Sequence, residues 1–246
     1  MDTISLRKAA ILAAFLISCG VLGTSPATAS INVSPIRVHL DAGSPREVVT
    51  ITNGEETPKS YQVEVVAWSQ SADDREVYSP TEDVIAVPPL FTLEPGEQQL
   101  IRLGALTPPD AQTERAFRMF VTEVASPQTA GEAATGIDMR LQIGLPVFYH
   151  PVAPMTGRLE VDGSFRDSGN RFVRLRNTGN SHVKILELRH QAEGASEPVA
   201  IPTVVYVHAG QTAELPLPVP GGAAAGRLSI VTESHGTLEH DLPPAP

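Results

Sequence analysis

The sequence predicts an all-β fold made of two sandwiches in tandem, and three observations predict it. Apolar residues recur with a period of two in short runs, Tyr61–Trp68 among them, as half-buried strands require. Pro and Gly, 22 and 19 in 246 residues, punctuate those runs, and few windows show helical spacing. The chain is long enough for two domains that each bury a core.

The first residues form a targeting segment. Arg7-Lys8, the apolar run Ala9–Ile17 and the small residues ending at Ala27-Thr28-Ala29 make a secretory signal peptide over residues 1–29. The run is too short to span a membrane. Cleavage after Ala29 leaves an exported chain without cysteine, so its stability must come from packing. The alternative is Leu16-Ile17-Ser18-Cys19, which has the form of a lipoprotein site at which Cys19 is acylated and anchored.

The first domain is expected over residues 30–150. Ile31–Leu40 reads as an extended segment that Pro35 confines to an edge. Glu47–Asn53 is a strand closed by Asn53-Gly54, and Tyr61–Trp68 is a strand whose tryptophan is expected in the sandwich core. Val84–Leu93 and Gln98–Leu103 flank the turn Glu94-Pro95-Gly96, and Pro88-Pro89 marks a corner that can hold a cis bond. Glu114–Val124 is the next strand, and a long loop of small residues follows it.

The stretch after that loop is unusual. From 137 to 147 the odd positions are Ile, Met, Leu, Ile, Leu and Val, while the even ones are Asp, Arg, Gln, Gly and Pro. Eleven residues at 3.3 Å each give a strand of about 36 Å, longer than a typical strand of 5 to 6 residues. Such a strand either runs through a large core or overhangs its own sheet and takes a partner chain.

The second domain is expected over residues 151–246, after the stiff connector Pro151-Val152-Ala153-Pro154 that fixes its orientation. Six short strands follow, near 157–161, 172–177, 182–188, 204–207, 212–217 and 226–232.

Four segments, in order, carry a family resemblance. They are Ile36-Arg37-Val38, the run Pro88–Gly96 with Ile101-Arg102-Leu103, Arg118–Val124, and Leu141-Gln142-Ile143 with Phe148-Tyr149-His150-Pro151. Together they resemble the periplasmic pilus-assembly chaperones of chaperone–usher systems. The resemblance implies two immunoglobulin-like β-sandwich domains set at an angle, in the periplasm. It further implies that the last strand of the first domain complements a pilin that lacks a strand, which is a known form of strand addition. On this sequence Ile137, Met139, Leu141, Ile143 and Leu145 would fill the pilin groove. Arg37 matches one member of a basic pair that holds the C-terminal carboxylate of the pilin, as a guanidinium fork suits. Pro146 stands where the lysine of that pair is expected, and His150 replaces an arginine used in cross-domain ion pairs. These departures resemble the archaic or alternative branch of the family. Arg102 or Arg140 could supply a second charge. Without the resemblance, Arg37 reads as a strand arginine paired with Asp41 or solvent.

The implied partners are pilin subunits and an outer-membrane usher, with self-association of the free protein as a way to mask the long strand. The net charge of −10 argues against nucleic acid. No nucleophile elbow, P-loop or dinucleotide fingerprint is present, and the one cysteine lies in the signal region. His235 and His240, five apart, fall on opposite faces if they share a strand. No catalysis, metal or cofactor is therefore expected. A structural pilus subunit or two-domain adhesin is the alternative, and a secreted hydrolase a weaker one. A pilin should have one incomplete sandwich and an N-terminal donor segment, whereas the alternation here lies inside the chain.

Overall fold

The computed structural model describes residues 31–71, 76–124, 140–168, 170–217 and 225–244. The expected signal peptide lies outside the described residues, as do Ile137 and Met139. Among the described residues there is no helix. The first sandwich holds β1 (Ile31–Ser34), β2 (Val38–Leu40), β3 (Arg46–Asn53), β4 (Lys59–Gln70), β5 (Glu76–Pro80), β6 (Val84–Val87), β7 (Leu90–Leu93), β8 (Gln98–Ala105), β9 (Arg115–Val124) and β10 (Gln142–Tyr149). The second holds β11 (Leu159–Asp167), β12 (Asn170–Asn177), β13 (Val183–Ala192), β14 (Val199–Val207), β15 (Thr212–Leu217), β16 (Gly226–Thr232) and β17 (Thr237–Leu242).

In the first sandwich, a sheet ordered β1-β3-β8-β6 faces one ordered β2-β10-β9-β4-β5, with β7 also on β4. The opening segment divides at Pro35: β1 is an edge strand on β3, and β2 is an edge strand running parallel to β10. A residue without an N–H breaks a ladder least at such an edge. The peptide bonds before Pro35 and Pro88 are cis. Val38, Leu40, Val49, Ile51, Ile101, Leu103, Phe117 and Met119 form much of the core between the sheets. β5 was not legible, because all five of its residues are exposed and no alternation marks it.

The second sandwich packs β11-β12-β15 against β14-β13-β16-β17 around Val173, Leu175, Ile185, Leu188, Leu215 and Leu228. Its seventh strand, β17, escapes the sequence reading because only Leu242 of its six residues is buried. His235 sits in the turn before β17, so it does not share a strand with His240.

Both sandwiches repeat one buried device. Asn53, with no exposed surface, donates its amide to the carbonyls of Thr57 (2.9 Å) and Leu93 (3.1 Å) and accepts the N–H of Glu55. Asn177, equally buried, donates to Ser181 (2.7 Å) and Val207 (2.9 Å) and accepts the N–H of Gly179. Their main chains match as well: each N–H bonds the carbonyl of Glu97 or Gln211, and each carbonyl takes the N–H of Gly96 or Gly210. Those two glycines have φ of 75° and 71°, a conformation that favours glycine. The asparagine thus ties a strand end, its own turn and a crossing strand in each domain.

Candidate functional site

The long strand is built differently at its two ends. β10 pairs with β9 along its whole length, from Gln142↔Thr122 to Tyr149↔Arg115. On its other side β2 reaches only Val147, Phe148 and Tyr149. Among the described residues, Gln142 to Pro146 therefore border β9 on one side and form an edge on the other. Glu123 N–H donates to the carbonyl of Leu141 (2.8 Å), whereas His150 N–H donates to that of Leu40 (2.8 Å). Backbone direction alternates along a strand, so odd residues bond β9 and even residues face the edge. Gln142 and Gly144 each present an N–H and a C=O there. Pro146 has no N–H to present there, and it is tolerated because the missing N–H falls on the side that β9 does not use.

The side chains grade along the strand. Val147, Tyr149 and Leu145 belong to the domain's own core, with Leu145 only 2% exposed. Ile143 is partly buried against that core, and Leu141 is 38% exposed. Among the described residues the regular strand runs from Gln142 to Tyr149, two residues beyond the expected end at 147, and the expected start at Ile137 lies outside them. Leu145, expected to fill a partner's groove, is covered by its own sandwich in this structure. On the opposite face Gly144 leaves room for Arg118, whose Nε is 2.7 Å from where a Cβ would stand and whose guanidinium lies 4.6 Å from the Trp68 ring.

That face continues into the junction of the two domains. Phe148 stacks on His182 at 3.6 Å between ring centres, and Tyr206 and Trp68 close around it. Trp68 is buried, but against His208 (4.3 Å, edge-on) and Tyr206 rather than within the sandwich core as expected. The Gln70 amide bridges the domains like a strand rung, donating to the Tyr206 carbonyl (2.8 Å) and accepting His208 N–H (3.0 Å). The buried Glu114 carboxylate accepts both the N–H of His182 (2.9 Å) and its Nδ1 (2.7 Å), with His150 Nε2 at 3.9 Å. His39 and His150 share a hydrogen bond of 2.9 Å. The connector is held too, by Val152 N–H on Asp110 and Ala153 N–H on Ala111. Burial pushes the His208 imidazole down to about 4, and burial followed by the neighbouring His150 and His182 also lowers His39.

Arg37 immediately precedes β2 and faces the second domain. It is paired neither with Asp41, whose carboxylate caps the turn at Gly43 and Ser44, nor with solvent alone. Its guanidinium makes a two-point contact with Glu233, at 2.6 and 3.0 Å, and Lys184 Nζ joins the same carboxylate at 2.8 Å. Arg37 and Lys184 hold the Glu233 carboxyl down at about 2. Cross-domain ion pairing is thus present, with His150 standing where the resemblance expects an arginine. Arg102 is not brought to Arg37: it lies exposed on β8 in the other sheet, opposite Val48 and Val87. Arg140 is exposed just before β10. Sequence reasoning missed Lys184, Glu233, Glu114, His182 and Gln70. No local spacing links Arg37 to a glutamate 196 positions away.

Fold and site define a two-sandwich, all-β protein in which β10, among the described residues, has an open edge in the first domain. Residues 30–154, more than half of the chain, match the family described as pili and flagellar-assembly chaperone, PapD N-terminal domain, and the chain belongs to that family. The chaperone protein FimB/FhaD of Bordetella pertussis is 27% identical over 178 residues, which cover 69% of this chain and 71% of that protein. The fold is similar to a chain of the CsuC–CsuE chaperone–tip adhesion pre-assembly complex from the archaic Csu pili of Acinetobacter baumannii, with TM-score 0.64 and 17% identity over 87% of this chain and 99% of that one. It is also similar to a chain of the Salmonella enterica SafA pilin–SafB chaperone complex, with TM-score 0.58 and 17% identity over 89% and 97%.

Proposed function

We propose that this chaperone acts in the periplasm, on the archaic or alternative branch of its family, capturing pilus subunits by lending them the open edge of β10. Residues 1–29 would be its signal peptide, and 30–150 and 151–246 its two domains. The observation that carries the reading is the stretch Gln142–Pro146, which among the described residues has one edge without a strand. An incoming strand there gains main-chain hydrogen bonds from Gln142 and Gly144, and Ile137, Met139, Leu141 and Ile143 set its register.

The same geometry orients the guest. A strand added beside Gln142–Pro146 lies on the side of β10 that β2 occupies, so it must end where β2 begins, at Arg37. Running parallel to β10, it would bring its C-terminal carboxylate there. Running antiparallel, it would bring an ammonium against Arg37 and Lys184. The two cations therefore favour the parallel guest with a free carboxylate, by charge alone. The chaperone would then hand its guest to an outer-membrane usher, with no catalytic group involved.

Co-purification with a pilin of the same assembly system tests this. Wild type should recover a soluble one-to-one complex, and a Met139→Asp/Leu141→Asp variant should lose it while keeping its Tm. A folded variant that binds as well as wild type would sink the strand-lending reading.

A further inference from the structure

Glu233 lies on the β16–β17 turn, which Thr232 and Gly236 close by hydrogen bonds. Its carboxylate meets three donors from two cations: Arg37 Nη1 on Oε2, and Arg37 Nη2 with Lys184 Nζ on Oε1. Both cations also lie 5.7 Å from the centre of the Tyr206 ring, one from each domain's side of the junction. Two cations beside one aromatic ring and aimed at one carboxylate make a complete carboxylate site. In this structure the carboxylate comes from the chain itself. Lys184 is one of only three lysines in the sequence, and Pro146 takes the place where a lysine is expected to assist Arg37.

We infer that Glu233 is an internal occupant of the site for the pilin's terminal carboxylate, and that Lys184, from the second domain, is that site's second cation. The inference rests on the proposed capture of a pilin C-terminus at Arg37. Its consequence is discrimination. An untethered carboxylate in solution must compete with a glutamate already seated at 2.6 to 3.0 Å, and does so poorly. A carboxylate carried in by a strand already paired with β10 arrives at an effective concentration of about millimolar, and it can take over the site. The side chain of Glu233, an exposed residue that opens its turn with its N–H held on the Lys184 carbonyl, can then swing into solvent without disturbing the core. Seating of the guest terminus would thus be coupled to release of one cross-domain contact.

The alternative role for Glu233 is a strut that merely fixes the angle between the domains, and the two roles predict opposite responses. The probe is N-acetylglycine, a chain-end carboxylate, against N-acetylglycinamide, titrated into the mature protein while the side-chain nitrogen resonances of Arg37 and Lys184 are followed by NMR. Glu233→Ala should tighten N-acetylglycine binding by about tenfold relative to wild type, an increment of about 1.4 kcal/mol, with no response to the amide. Lys184→Met in the Glu233→Ala background should remove most of that gain. Binding by Glu233→Ala that is no tighter than wild type, or an equal response to the amide, would overturn the inference and leave the strut. The pilin co-purification is read separately. Capture of pilin with no carboxylate response sinks only this inference, whereas a carboxylate response with no capture sinks the functional reading and with it the assignment of this site to a pilin terminus.

Discussion

Asn177→Ala is expected to destabilise the second domain by about 3 kcal/mol, and Asn53→Ala the first by a similar amount. Asn53→Ala removes three side-chain hydrogen bonds, and Asn177→Ala removes three short ones and a long one from Arg158 N–H at 3.4 Å; the short bonds contribute about 1 kcal/mol apiece, and the carbonyls of Val207 and Leu93 each lose a donor. The isosteric Asn→Asp variants should be worse than alanine. They keep the oxygen that accepts from Gly179 or Glu55 but turn the donor into a second oxygen facing two carbonyls. Urea unfolding followed by far-ultraviolet circular dichroism measures both. An Asn177→Ala variant within about 0.5 kcal/mol of wild type would show that water replaces these contacts at no cost, and a milder effect from aspartate would reverse the assigned donor.

The same asparagines mark the limit of what local pattern reveals. Asn53-Gly54 and Asn177-Thr178-Gly179 were legible as turns from residue type alone. That each amide also reaches a crossing strand, 40 positions away for Leu93 and 30 for Val207, depends on topology. Strands with one buried face, such as β4 and β9, were legible because burial imposes a period of two. β5 and β17 were not, because they bury almost nothing and their neighbours hold them by main chain. The open edge of β10 was legible as excess length, but not its bounds, since Leu145 and Leu141 look alike in sequence and differ only in what covers them. The interdomain contacts were the least legible. Trp68 ends an alternating strand but stands on the face of Gln62 and Glu64, opposite Tyr61, Val63 and Val65, and its burial there is supplied by the second domain.

Acid should loosen the junction of the two domains before it unfolds either core. His208 has a folded-state pKa of about 4, below its ordinary value, because burial between Trp68, Tyr206 and the Gln70 bridge disfavours the imidazolium. The sign follows from which state binds the proton first. As pH falls, the unfolded chain protonates His208 near 6.5 while the folded chain does not, so its stabilising contribution is complete at neutral pH and is lost between about 6.5 and 4. His39 shifts in the same direction and adds to the loss. The charged or titratable groups turned toward His208 are His182, Glu114 and Arg118, and of these only Glu114 favours protonation. Glu233, held down at about 2, enters only at the acid end of this window, since its own contribution is lost as pH falls below about 4.5. From pH 7.5 to 4.5 the His208 contribution should fall by about 2.5 kcal/mol. Urea midpoints at the two pH values should therefore differ less in His208→Gln than in wild type. Trp68, the single tryptophan, lies 4.3 Å from the ring, so its fluorescence should titrate near pH 4 in wild type and not in the variant. An acid loss of stability that is equal in both proteins would place the sensitive group elsewhere.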